Sequence, residues 1–172
     1  MEIRAVRPDE VARLRDVRLR ALADAPEAFL TTLDEALAYP DQVWQERAAT
    51  RPGRVTFVAE EAGADRWWGM VGGLLELLQA DEPPAVYLVG MWVDPSRRGT
   101  GLGQALVQAV LDWATAQRVQ RVELDVVETN AHAIALYERC GFRPTGARHM
   151  VAGRPAHRTL RMWREPTRPL VC

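Results

Sequence analysis

Three glycines alternate at 99, 101 and 103, between an apolar run and a helix-forming stretch, and this arrangement restricts the fold more than any other feature of the chain. Ala85 to Val93 is almost continuously apolar, which predicts a buried central strand. Val93-Asp94-Pro95 closes that run. Gly101 to Gln117 then places Leu102, Leu106, Ala109, Val110 and Trp113 on one stripe, which predicts an amphipathic helix. Glycine leaves backbone N–H groups uncovered, and a helix start carries partial positive charge. Arg97 and Arg98 add formal charge beside it. The segment 97–103 therefore predicts an anion site at a helix N-terminus, suited to a pyrophosphate.

Two other glycine loops are excluded. A nucleoside-triphosphate loop needs a Lys after its last glycine, and all 22 basic residues here are Arg. The dinucleotide fingerprint needs Gly or Ala at its sixth position, and residue 104 is Gln. A tight strand-to-helix turn with no ligand is the plainer alternative to an anion site.

The other elements follow from periodicity and turn chemistry. Residues 2–6 predict a strand; Pro8-Asp9-Glu10 starts a helix carrying Val11, Leu14, Val17, Leu19 and Leu22, interrupted by Pro26. Its many Arg residues are expected on a solvated face. Asp41 precedes a second short helix over 42–49, and Arg51-Pro52-Gly53 is a turn. Strands are expected over Val55–Glu60 and Trp67–Leu78, with a hairpin turn at Ala62-Gly63-Ala64-Asp65 and a loop at Asp81-Glu82-Pro83-Pro84. Arg121–Val127 reads as a strand and Asn130–Cys140 as a helix ended by Gly141. Two last strands, near 145–151 and 156–163, flank a turn at Gly153-Arg154-Pro155. The sum is an α/β (α+β) domain over 1–172, a mixed central sheet of about six to seven strands flanked by about four helices.

Composition bounds the rest. A net charge of −1 gives no global pull toward nucleic acid or an anionic membrane. Cys140 and Cys172 supply neither a disulfide framework nor a metal-ligand spacing, so no metal is expected. The N-terminus lacks the apolar core of a signal peptide, and no run reaches the roughly 18 apolar residues of a membrane span. A cytoplasmic protein is the expectation.

Residues 98–142 carry a family resemblance. Arg98-Gly99-Thr100-Gly101-Leu102-Gly103 matches Arg/Gln-x-x-Gly-x-Gly/Ala, the acetyl-CoA signature of the GNAT superfamily of N-acetyltransferases. Leu124-Asp125-Val126, then Asn130, a short helix bearing Tyr137, and Gly141-Phe142 match its second signature, in family order. The resemblance implies an acetyl-CoA-binding core over about 85–143. Strands 85–93 and 121–127 would be parallel and splay apart, with the pantetheine arm bonding to backbone near Met91, Trp92 and Val93. Gly90 would permit the bulge that opens the strand, or merely close packing. The diphosphate would rest on N–H groups of 98–103, including Gly99, Thr100, Gly101, Leu102 and Gly103.

The implied chemistry is acetyl transfer from acetyl-CoA to a primary amine, with Tyr137 as general acid to the leaving thiolate. Tyr137 alternatively packs in a core, and Asn130, expected at the pantetheine, is also a natural helix cap. Many relatives carry a Glu early in the central strand, whereas Ala85-Val86-Tyr87-Leu88-Val89 has no carboxylate. Candidate bases are Glu76, Glu123, Asp125 and Glu128, or a water chain. His149 and His157 lie on the last strands; His132 is expected on an exposed helix face. Trp67-Trp68 is expected in the core, and Trp44 is the Trp best placed to wall an acceptor site. A CoA-binding module without transfer, and an acetyltransferase of protein N-termini or side chains, stand as alternatives; a homodimer is a further expectation from the resemblance.

Overall fold

The computed structural model describes residues 1–49, 51–76, 84–151 and 154–166. The elements are β1 (Glu2–Ala5), α1 (Val11–Asp24), α2 (Leu33–Leu37), α3 (Asp41–Ala48), β2 (Arg54–Glu60), β3 (Gly69–Glu76), β4 (Ala85–Val93), α4 (Leu102–Ala116), β5 (Arg121–Val127), α5 (Ala131–Arg139), β6 (Arg143–Val151) and β7 (Arg154–Arg164). They form one seven-stranded sheet in the order β1-β2-β3-β4-β5-β7-β6. Every neighbouring pair is antiparallel except β4–β5, which α4 joins as a crossover.

The two faces of the sheet have separate cores. On one, α4 packs Leu106, Val107, Val110, Leu111 and Ala114 against Val71, Val86, Leu88, Val122 and Leu124. These α4 residues recur at three- and four-residue spacing, so one apolar stripe meets the sheet. On the other face α1, α2 and α3 enclose Leu14, Val17, Leu22, Trp44, Val58, Trp67 and Trp92. Trp44 and Trp67 are each only 1% exposed. Truncating either to Ala removes a large buried volume, a change that costs about 3–5 kcal/mol.

Several expectations are corrected. The α1–α3 region holds an additional helix, α2, started by a capping box in which Thr32 accepts from the Glu35 N–H and the Glu35 carboxylate accepts from the Thr32 N–H. The spacing Thr-x-x-Glu is its signal in the sequence. The strand expected from Trp67 begins at Gly69, and Leu77, Leu78 and the loop residues Asp81, Glu82 and Pro83 lie outside the described residues. Arg154 and Pro155 of the expected last turn belong to β7, and Gly153 and Cys172 lie outside the described residues. Val89 of the central strand is 37% exposed rather than buried. The Arg row of α1 is not uniformly solvated: Arg18 is 9% exposed.

A candidate acetyl-transfer site at a forked sheet

The two parallel strands part early. β4 pairs with β5 only at Ala85–Arg121, Val86–Val122 and Tyr87–Glu123. Beyond Tyr87, β4 remains bonded to β3 but has no partner on its other edge among the described residues. A bulge lies just past the fork. Met70 pairs with Trp92 and Gly72 with Val89, so three steps of β4 oppose two of β3. Gly90 absorbs the extra residue with φ +62°, a left-handed conformation open to glycine and costly for other residues. The bulge also changes which face later side chains take, so Trp92 joins the α1–α3 core with Met70.

The glycine loop lies next to the fork. Gly99 (φ +76°) and Gly101 (φ +88°) are left-handed, and a Cβ at either would meet nothing within 4 Å. Gly101 caps α4 without a side-chain hydrogen bond, so the first N–H groups of the helix stay open to an outside acceptor. Gly103 serves packing instead. A Cβ there would lie 3.2 Å from Leu136 of α5 and 3.5 Å from Met91 of β4, so α4, α5 and the far side of the bulge converge at this residue. The arginines of the loop are already engaged: Arg97 donates to Glu61 at 2.7 Å and covers the Trp68 ring, and Arg98 donates to Asp24 and to the Val93 carbonyl. Both guanidiniums thereby brace the loop against β2–β3 and α1. The Trp92 indole N–H also donates to Asp24 at 2.8 Å, which ties the strand past the bulge to the end of α1.

Tyr137 is 6% exposed and meets Phe142 edge-to-face at 5.8 Å between ring centroids. Its hydroxyl has no hydrogen-bond partner among the described residues, and burial raises its pKa well above the usual phenol value. Burial therefore favours its neutral phenol form. Asn130 caps α5, its Oδ1 accepting from the Ala133 N–H at 3.1 Å. Gly141 ends the helix at φ +83°.

The candidate bases separate by partner. Glu76 is exposed at the end of β3, opposite Ala85. Asp125 receives two hydrogen bonds from Arg161, at 3.1 and 2.9 Å. Glu128 takes a hydrogen bond from Arg148 and rims an open cleft of about 540 Å³ with Ile134, Arg158 and Leu160. Glu123 is buried, accepts the Tyr87 hydroxyl at 2.8 Å and pairs with Arg121 at 2.7 Å. Burial first, and this bond second, push the Tyr87 phenol up to about 12. The sequence of β4 shows that it lacks a carboxylate, and Glu123 of β5 is among the sequence candidates; that it is tied to Tyr87 at the last residue pair before the fork is what sequence reasoning missed. The signal available is Tyr87 itself, the one hydroxyl within an apolar strand. His132 and His149 are exposed, and the side chain of His157 lies outside the described residues. Trp67 is in the core as expected, but so is Trp44, which therefore cannot present its ring to an acceptor.

A mixed sheet forked between its two parallel strands, beside a glycine-opened helix start, is thus the frame of the candidate site. The chain belongs to the Acetyltransferase (GNAT) family, whose model matches residues 19–142. It is 39% identical over 137 residues to a mycothiol acetyltransferase of Thermobispora bispora, an alignment covering 78% of this chain and 43% of that protein. The chain thus spans less than half the length of the mycothiol acetyltransferases it matches. It is 33% identical over 139 residues to the L-amino acid N-acetyltransferase AaaT of Escherichia coli, covering 78% of this chain and 82% of that one. The spermidine N-acetyltransferase of Vibrio cholerae, solved with CoA and spermine, shares the fold at a TM-score of 0.71 and 19% identity, covering 96% of this chain and 95% of its own.

Proposed function

We propose that the protein transfers an acetyl group from acetyl-CoA to a primary amine of a small molecule or peptide. The observation that carries this reading is the fork: beyond Tyr87, β4 presents a backbone edge with no partner among the described residues, and the open N–H groups of α4 stand beside it. The backbone of Met91, Trp92 and Val93 would hold the pantetheine arm as an added strand. N–H groups of 98–103 would hold the diphosphate, with Arg97 and Arg98 shaping the loop and Asn130 setting the start of α5. That Gly99 and Gly101 leave open space where side chains would project supports this fit.

In the reaction, the amine nitrogen bonds to the thioester carbon as the carbon–sulfur bond breaks. Tyr137 gives its phenolic proton to the departing sulfur. The ammonium releases two protons in becoming an amide: one restores the tyrosine through water, and the other passes to a base or to solvent. Glu123 and Asp125 are poor candidates to receive that proton, because their oxygens are already engaged by Tyr87, Arg121 and Arg161. Glu76 is the exposed carboxylate on the Tyr87 face of the sheet and is the better acceptor for a water-relayed proton. Glu128 lies beyond the end of β5 and is tied to Arg148, so its assigned part is to shape the cleft. The mycothiol and L-amino acid acetyltransferases among the relatives favour a small-molecule acceptor over a protein one.

The test is acetyl-CoA titrated into the protein by calorimetry, followed by an amine panel read by free-thiol release. Binding with thiol release supports the proposal; no heat at millimolar acetyl-CoA overturns it. A CoA-binding module without transfer is favoured by the commitment of Glu123 and Asp125 to arginines. It would bind acetyl-CoA and release no thiol with any amine.

A further inference from the structure

α1 carries several arginines, and all but one of those at 13, 15, 18 and 20 have an acidic partner. Arg13 pairs with Glu10 and Glu60, Arg15 with Asp41, and Arg20 with Asp16 and Asp94. Arg18 is the most buried of the four, and it has no carboxylate partner among the described residues. Its Nε is buried without a hydrogen bond among the described residues. Its guanidinium lies over the Phe29 ring at 4.5 Å, and its Nη1 is 3.4 Å from where a Cβ of Gly90 would stand. A second guanidinium, that of Arg47, is close enough to repel it, and Arg47 likewise has no acidic partner among the described residues. Burial, and then this repulsion, lower the Arg18 pKa to about 10.

Removing a cation from water without a counter-ion is strongly unfavourable. An unpaired charge at a structural position would be readily replaced by Met or Leu, so its position matters. It stands at the bulge, three residues past the last β4–β5 pair, where an acetyl group held along β4 would meet its acceptor. A planar guanidinium there matches a carboxylate with two parallel hydrogen bonds.

We propose that Arg18, supported by the positive field of Arg47, binds the carboxylate of the acceptor, and that the acceptor is a free amino acid. Amine and carboxylate then sit on one carbon, which suits an anion site next to the fork rather than remote from it. This inference rests on the acetyl-transfer reading for the identity of the reacting amine, but the anion site can be tested without turnover.

Two measurements on the full chain separate the two ideas. Thiol release is followed with L-amino acids and with their carboxamides as acceptors. Acids are expected to show at least about a tenfold lower KM than amides, the value of a hydrogen-bonded charge pair. Arg18→Met is expected to erase that preference while acetyl-CoA affinity is kept. Separately, N-acetyl-L-leucine is titrated into the CoA-loaded protein; binding to the wild type and its loss in Arg18→Met are expected. Melting curves show that the variant is folded. Equal KM values for acids and amides, or N-acetyl-L-leucine binding that survives Arg18→Met, overturn the anion site even if amines are acetylated. Arg18-dependent binding with no turnover of any amine overturns the transfer reading and leaves the anion site standing.

Discussion

The Tyr87 hydroxyl donates a 2.8 Å hydrogen bond to Glu123 across the last residue pair joining β4 to β5. The two strands separate immediately afterwards, so this bond closes the base of the fork. Glu123 is further held by Arg121, which sets a charge pair beside the phenol. A hydrogen bond to a charged group contributes about 1.5–3 kcal/mol. Tyr87→Phe should lower stability by about that amount, read from urea midpoints. A variant as stable as the wild type would show that the bond does not lock the fork.

The same bond gives a signed pH dependence. The folded protein raises the Tyr87 pKa from 10.0 to about 12, so folding favours the neutral phenol. That contribution is complete below about pH 10 and is lost as the pH rises through about 12. Over this window the wild type should lose stability more steeply than Tyr87→Phe. Parallel curves for the two proteins would contradict the assignment.

An acid-side dependence of opposite sign belongs to Glu10. Hydrogen bonding from Arg4 is the largest cause holding its pKa near about 2, against 4.5 without the fold. This stabilisation is present above about 4.5 and is lost as the pH falls through about 2. Glu10→Gln should be less stable than the wild type at neutral pH, and the gap should narrow on acidification. A constant gap down the acid range would argue against the Arg4–Glu10 pair as its source.

Gly101 combines an open surface with φ +88°. Gly101→Ala introduces backbone strain of about 1–2 kcal/mol with no new charge. Gly101→Glu adds a carboxylate where a diphosphate would bind. Its acetyl-CoA affinity should fall at least about a hundredfold below that of the Ala variant, about 2.8 kcal/mol. Equal affinities in the two variants would place the diphosphate elsewhere.

Tyr137 has a buried, raised-pKa hydroxyl with no partner among the described residues. Removing that oxygen should therefore disturb packing little. Tyr137→Phe should melt close to the wild type, keep its acetyl-CoA affinity and lose about a hundredfold or more in turnover, a typical general-acid contribution. Unchanged turnover would reduce Tyr137 to its contact with Phe142.

Much of this architecture is legible in the order of the residues. The apolar run Ala85–Val93 and the alternation over Arg121–Val127 coincide with the bounds of β4 and β5, because both patterns are local signals. Gly99, Gly101 and Gly141 stand out as special positions and have positive φ, because only glycine takes that conformation at low cost. Residues 130–142 likewise point to a capped helix ending in glycine, and Asn130 and Gly141 occupy those two ends.

Local pattern along the chain thus carries the order of elements, the glycine-opened helix and the family. Which charged groups face one another is settled by tertiary packing alone. Tyr87 and Glu123 are 36 residues apart, and nothing local to either specifies the register that joins them. Arg18 stands four residues from both Leu14 and Leu22, on the apolar stripe of α1, a hint that composition masks because the same helix carries arginines at 13, 15 and 20. Backbone hydrogen bonding repeats along the chain and leaves a period that can be read from it. Charge pairing across a sheet depends on burial and register, and the bulge at Gly90, which resets the facing of β4, exists only once β3 and β4 have paired.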